Sequence, residues 1–136
     1  MITVAVSGGF DPLHIGHLEY FEQAKKLGDR LVVIVNNDAF LIRKRGRVFM
    51  PLADRVKIIK ALKIVDEVVI SIDKDDSVIE TLRMVRPDIV GNGGDRTATE
   101  DELQLAKEIG FKMVWGLGGK IRSSSNIVND YLKDTI

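Results

Sequence analysis

Residues 8–17, Gly8-Gly9-Phe10-Asp11-Pro12-Leu13-His14-Ile15-Gly16-His17, decide how the rest of the chain is read. The apolar run Ile2 to Val6 before this segment predicts a strand, and the amphipathic run after it predicts a helix. Between them a glycine turn delivers His14 and His17 to the start of that helix, three residues apart and so facing the same way. Free backbone N–H groups and the positive end of the helix dipole meet there, a setting that suits an anion such as a polyphosphate. Gly8 and Gly9 remove Cβ atoms where phosphates must approach the backbone, and Phe10 anchors the turn. Asp11 and Pro12 fit a tight turn whose carboxylate bonds nearby N–H groups, and Gly16 leaves room for a nucleotide. The alternative is a pair of histidines that only cap the helix. These are the chain's only two histidines, and both follow one Gly-Gly turn, which favours the nucleotide site. A metal site is disfavoured, because the pair supplies two ligands and no cysteine or evident third ligand completes it.

Working outward, strand-like and helix-like periods alternate with short connections, the pattern of a parallel sheet covered on both faces. A helix is expected from about His17 to Leu27, with Leu18, Phe21, Ala24 and Leu27 on its apolar stripe and Gly28 as its stop. Leu31 to Val35 is a β-branched run fit for a buried central strand. Pro51 starts a second helix, with Val56, Ile59 and Leu62 inward. Val68 to Ile72 is a third strand, followed by a helix marked by Val78, Leu82 and Val85 that Pro87 ends. Ile89 and Val90 begin a fourth strand, Thr99 and Glu102 form a capping box, and Lys112 to Trp115 is the last strand. A final helix starts within Ser123 to Ser125 and turns Ile127, Val128, Tyr131 and Leu132 inward. The fold class is therefore α/β, a Rossmann-like doubly wound five-stranded parallel sheet with helices on both faces. Ligands of such sheets sit beyond the carboxyl ends of the strands. The loops 7–17, 92–95 and 116–125 fall at such ends and should converge.

The 136 residues make one domain, 1–136, with enough chain to bury a core unaided. Twenty basic residues balance twenty acidic ones, so no net field draws the protein to nucleic acid or to an anionic membrane. The absence of cysteine excludes disulfides, thiolate metal sites and cysteine catalysis. No apolar run approaches the roughly 20 residues needed to span a bilayer, and the N-terminus enters a strand directly; a cytoplasmic protein is expected.

The stretch GGFDPLHIGH resembles the GxFDxxHxGH signature of the HxGH nucleotidylyltransferases, and Arg122-Ser123-Ser124-Ser125-Asn126-Ile127 resembles their second motif, a serine/threonine-rich turn opening the last helix. The segments GDRLVVIVNNDA, VDEVVIS, GGDRTATE and SSSNI bring the chain nearest to the adenylyltransferase domain of ADP-heptose synthase, with glycerol-3-phosphate cytidylyltransferase next. The resemblance implies transfer of a nucleoside monophosphate from a nucleoside triphosphate to a phosphorylated small molecule, with release of pyrophosphate. The acceptor phosphate attacks the α-phosphorus in line, so the protein needs to supply positioning and charge neutralisation rather than a nucleophile.

By that resemblance His14 and His17 bind the triphosphate and stabilise charge on it, and Ser123, Ser124 and Ser125 serve the β and γ phosphates, with Ser124 placed among the catalytic groups. The alternative for the serines is an N-cap. Lys44, in the run Arg43-Lys44-Arg45-Gly46-Arg47, matches the family lysine that reaches across the reacting phosphates; the alternative is a solvated loop. Arg55 matches the arginine that holds the acceptor's phosphate; the alternative is an exposed helical arginine. Asp38 is assigned to acceptor hydroxyls, and Asp95 to the ribose or base unless it only shapes a turn. Mg2+ is expected with the triphosphate, bound through phosphate oxygens and water. A homodimer is also expected.

The cytidylyltransferase motif has an arginine shortly before the serine turn, where this chain has Gly118 and Gly119. That favours ATP over CTP, and the glycines Gly116, Gly118 and Gly119 offer space for a purine. A sugar phosphate is the first choice of acceptor. The alternatives are a CTP-using enzyme acting on a polyol phosphate, or a nucleotide-binding regulator without turnover. A full aminoacyl-tRNA synthetase is disfavoured because its lysine-rich second signature is absent. A dinucleotide-binding domain is disfavoured because GGFDPL is not GxGxxG.

Overall fold

Alternation along the central strands divides the core into two layers. The computed structural model describes residues 1–94 and 96–118. Strands β1 (Thr3–Gly8), β2 (Arg30–Val35), β3 (Glu67–Ile70), β4 (Ile89–Gly93) and β5 (Lys112–Leu117) form one parallel sheet in the order β3-β2-β1-β4-β5. Helices among the described residues are α1 (Ile15–Lys25), α2 (Asp38–Arg45), α3 (Leu52–Lys60), α4 (Ile79–Val85) and α5 (Glu100–Ile109). Val4 and Val6 of β1 and Leu31, Val33 and Val35 of β2 pack with Phe21 and Ala24 of α1 and Ile59 of α3. On the other face Ala5, Ile34 and Val90 meet Leu82 of α4 and Leu105 of α5. Both faces of β1 and β2 are covered, which is why their sequences are continuously apolar. The doubly wound α/β class expected from the sequence is the one observed.

Strand order reverses between β1 and β4, which lie side by side, with Val4 opposite Ile89 and Ala5 opposite Val90. The chain leaving β1 and the chain leaving β4 therefore diverge at their carboxyl ends and leave a crevice between them. Gly91 allows β4 and β5 to close up: a Cβ there would lie 2.7 Å from Leu117 Cδ1.

Three boundaries differ from expectation. α1 begins at Ile15, so His14 is its N-cap and His17 lies in its first turn. β3 stops at Ile70. The basic run at 43–47 is not a loop but the last turn of α2 with its Gly46 cap. Asn37 caps α2, Asp38 opens it, and three cations close it, so both ends complement the helix dipole. The expected final helix, Asp95 and the serines Ser123, Ser124 and Ser125 lie outside the described residues. Among the described residues no helix is long and apolar enough to cross a membrane.

Candidate active site

The two histidines cap α1 reciprocally. His14 Nδ1 accepts the Gly16 N–H at 3.1 Å, and His17 Nδ1 accepts the His14 N–H at 3.2 Å. Their rings stack with centroids 3.8 Å apart, and Phe10 stands edge-on to His17 at 5.0 Å. The capping alternative is thus realised, and it fixes the chemistry of the other nitrogen. A neutral imidazole that accepts at Nδ1 carries its proton at Nε2. Burial, and then the neighbouring His14, push the His17 imidazole down from about 6.5 to about 3. His17 is therefore a neutral Nε2–H donor near neutral pH.

The turn before the histidines is filled by the chain itself. A Cβ on Gly8 would lie 2.9 Å from the Phe10 ring, and one on Gly9 would lie 2.9 Å from Leu41 Cδ2. These glycines make room for Phe10 and Leu41 rather than for open space. Asp11, 1% exposed, does not bond N–H groups near it in sequence. It accepts from Arg45 Nη2 at 2.5 Å, from the Phe49 N–H at 2.8 Å and from the Met50 N–H. One buried carboxylate thus anchors the end of α2 and the segment leading to α3. The result is a pocket of about 170 Å³ lined by Gly9, Asp11, His17, Phe40, Leu41 and Lys44, among others. Lys44 Nζ lies 5.5 Å from the Phe40 ring centroid. His17, Lys44 and the glycine turn are brought together as expected.

Arg55 is neither exposed nor directed at solvent; it is completely buried. Its Nε donates to Met50 O at 2.9 Å, Nη1 to Gly9 O at 2.8 Å and Asn36 O at 2.6 Å, and Nη2 to Asp38 Oδ1 at 2.7 Å. This guanidinium ties together the chain ends beyond β1 and β2, the start of α2 and the entry to α3. Asp38, which sequence reading assigned independently to acceptor hydroxyls, is the one side chain in that set, and it is 44% exposed.

Across the crevice, the Tyr20 hydroxyl donates to Gly91 O at 2.5 Å, fixing α1 to β4. Burial raises its pKa well above the usual tyrosine value, against smaller opposing effects of the Ser7 backbone and the Arg96 charge. Gly118 donates to Gln23 Oε1 at 2.8 Å, and a Cβ on it would come within 3.1 Å of Tyr20. Its lack of a side chain serves the approach to α1 and not an empty purine site. Gly94 lies against Gly118 O, 3.5 Å from where its Cβ would be. As far as the described residues reach, the segments after β4 and β5 meet at Gly94 and Gly118, and Gly118 meets α1 at Tyr20 and Gln23, whereas the pocket beside the loop after β1 is closed by α2. Sequence reading missed Arg96, which donates to Asn92 Oδ1 at 2.9 Å and to Glu102 Oε1 at 2.6 Å. Thr99 Oγ1 caps α5 by accepting the Glu102 N–H, but the Glu102 carboxylate bonds Arg96, so half of the expected capping box is replaced by an ion pair.

A family model described as cytidylyltransferase-like matches residues 5–127. The chain is 36% identical over 143 aligned positions to the bifunctional protein HldE of Hahella chejuensis, covering 98% of this chain and 28% of that protein. It is 38% identical over 96 positions to the FAD synthase of Pyrococcus abyssi, covering 70% of this chain and 64% of that protein. It therefore spans under two thirds of the length of either relative. The crystal structure of the lipopolysaccharide core biosynthesis protein from Thermoplasma volcanium GSS1 superposes with a TM-score of 0.76 at 35% identity, covering 88% of this chain and 99% of that one.

Proposed function

The chain belongs to the cytidylyltransferase-like family, and we propose that it transfers a nucleoside monophosphate, AMP in preference to CMP, from a nucleoside triphosphate to a phosphorylated small molecule. The observation that carries this reading is the reciprocal cap of His14 and His17, which sets an Nε2–H donor on His17 beside Lys44 at the edge of one pocket. An acceptor phosphate oxygen attacks the α-phosphorus in line, the bond from that phosphorus to the bridging oxygen breaks, and pyrophosphate leaves with its electron pair. His17 and His14 hydrogen-bond oxygens that gain charge in this step, and Lys44 spans the phosphates. Ser123, Ser124 and Ser125 serve the β and γ phosphates in this scheme, and Asp95 the ribose or base.

Mg2+ accompanies the triphosphate. The carboxylate that lines the pocket, Asp11, is already engaged by Arg45, Phe49 and Met50, so a bound Mg2+ would be held through phosphate oxygens and water and would supply charge neutralisation. Two features support ATP: the chain has Gly118 and Gly119 where the cytidylyltransferase motif has an arginine, and one relative is named for FAD, a product that contains adenine. For the acceptor, a sugar phosphate is the first reading, supported by the likeness to the bifunctional protein HldE over 98% of this chain and to a lipopolysaccharide core biosynthesis protein. A flavin mononucleotide acceptor is the second reading, favoured by the FAD synthase likeness. Assembly as a homodimer is part of the proposal, and light scattering at micromolar concentration tests it: a monomeric mass counts against it.

The deciding experiment measures pyrophosphate release from ATP, CTP, GTP and UTP, each with Mg2+, against a panel of sugar phosphates, glycerol phosphate and flavin mononucleotide. Release from ATP with a sugar phosphate is expected. Nucleotide binding without release for every acceptor would instead identify a regulator without turnover.

A further inference from the structure

We propose that Arg96 contacts the base of the bound nucleotide and helps to select it; this rests on the nucleotidyl-transfer reading above. Arg96 follows β4 at the strand-order reversal, and its side chain lies against the end of that strand through Asn92, which is itself fully buried. Its charge is felt at the Tyr20 hydroxyl, on the residue one helical turn beyond His17. Beside it, no atom of the described residues lies within 4 Å of the position a Cβ on Gly93 would take. The guanidinium thus stands at the carboxyl end of β4, beside the strand-order reversal.

Two features mark this arginine as more than a tie between a loop and a helix. Asn92 and Glu102 each take one N–H of a terminal nitrogen and hold the planar group by one edge. A guanidinium has five N–H groups, and among the described residues the side chain's other N–H groups meet no acceptor. Glu102 is 3% exposed, so it cancels most of the arginine's charge at close range. A neutralised, rigidly held donor set suits a neutral acceptor such as a ring nitrogen or carbonyl of a base. Phosphates are better served by Lys44 and its neighbours on α2.

The test uses the full chain, Arg96→Gln combined with Glu102→Gln so that no buried charge is left alone, and separately Arg96→Lys, which keeps the charge but loses the planar fork. Calorimetry with Mg2+ gives affinities for ATP, CTP, GTP and UTP, and for inorganic tripolyphosphate, which has no base. In the double variant the tightest-binding nucleotide should weaken about tenfold, as for loss of a hydrogen bond. Tripolyphosphate should change less than twofold, so the spread among the four bases narrows. Equal losses for tripolyphosphate and nucleotide, or no loss for either, would overturn the proposal. If thermal melting shows that the double variant does not fold, Arg96→Lys decides by the same criterion. If the wild-type chain binds tripolyphosphate but does not distinguish the four nucleotides, the base contact fails alone; if it binds none of these ligands, the nucleotidyl-transfer reading fails with it.

Discussion

The His14 backbone N–H donates to Nδ1 of His17 at 3.2 Å while the two rings stack at 3.8 Å, so neither imidazole can turn without disturbing the other. Each Nδ1 is used by the backbone, and each ring is thereby held in a fixed orientation at the start of α1. The cap and the proposed phosphate contact fall to different nitrogens of the same ring. That separation can be tested, because asparagine places a polar atom near the position of Nδ1 and nothing at Nε2.

His17→Asn should keep the helix cap and lose the chemistry. Stability to urea is expected within about 1 kcal/mol of wild type, the scale of one capping interaction. Turnover should fall on the order of a hundredfold to a thousandfold, the cost of removing one preorganised donor. Turnover within a few-fold of wild type would remove His17 from the reaction.

His17 should stay neutral throughout the physiological range. Its folded-state pKa of about 3 lies below the ordinary value of 6.5, so between these two values the unfolded chain binds a proton that the folded chain refuses. The stability it contributes is complete above about pH 6.5 and is lost as pH falls toward 3. Nitrogen-15 NMR of the imidazoles should show the Nε2–H tautomer of His17 with no titration from pH 8 to 5. The loss of stability between pH 7 and 4.5 should be smaller for His17→Asn than for wild type. A His17 midpoint near 6.5 would contradict the burial argument.

Asp11→Asn should loosen the pocket from below. The carboxylate is buried and pairs with Arg45, itself mostly covered, while accepting two backbone N–H bonds. Breaking such a pair by removing one charge costs about 3 kcal/mol. Urea unfolding measures this directly, and a change under about 1 kcal/mol would show that the segment from Arg45 to Met50 is anchored by something else.

Arg55→Lys should not be conservative. An ammonium cannot reproduce the planar fork that reaches Gly9, Asn36, Met50 and Asp38 at once, and each buried carbonyl left unpaired costs about 1–3 kcal/mol. A loss of about 3 kcal/mol in unfolding free energy is expected. Wild-type stability would mean that water or a side-chain shift restores those bonds.

The central strands were legible because burial on both faces leaves continuous apolar runs, as in Leu31 to Val35, and the half-buried edge strands β3 and β5 because they are short apolar runs between turn residues. α2 was missed because only Phe40 and Leu41 are buried in it, too few to mark a helical period. Its end signals, Asn37 and Gly46, were present and were outweighed by the basic run. The partners of Asp11 and Arg55 were not legible at all. They lie as many as 39 and 46 residues away and are largely backbone atoms, which leave no mark on side-chain pattern. Glu102 is an instructive case: the capping-box spacing was present, and a charge-assisted bond to Arg96 took its carboxylate instead.

The two sides of the crevice are held by different forces. α1 is seated by Phe21 and Ala24 in the core and joined to β4 and β5 through the uncharged Tyr20 and Gln23, and its ion pair, Lys25 to Asp66, lies at the end far from the histidines. α2 also buries Phe40 and Leu41, but its polar attachments are ionic: Arg45 to Asp11, Asp38 to Arg55, and the exposed Arg43 to Asp76. Ionic strength therefore acts on one side more than on the other. Raising salt should speed amide exchange in α2 while leaving the first turns of α1 protected, so that the histidines keep their place and the lysine side of the site becomes the adjustable one.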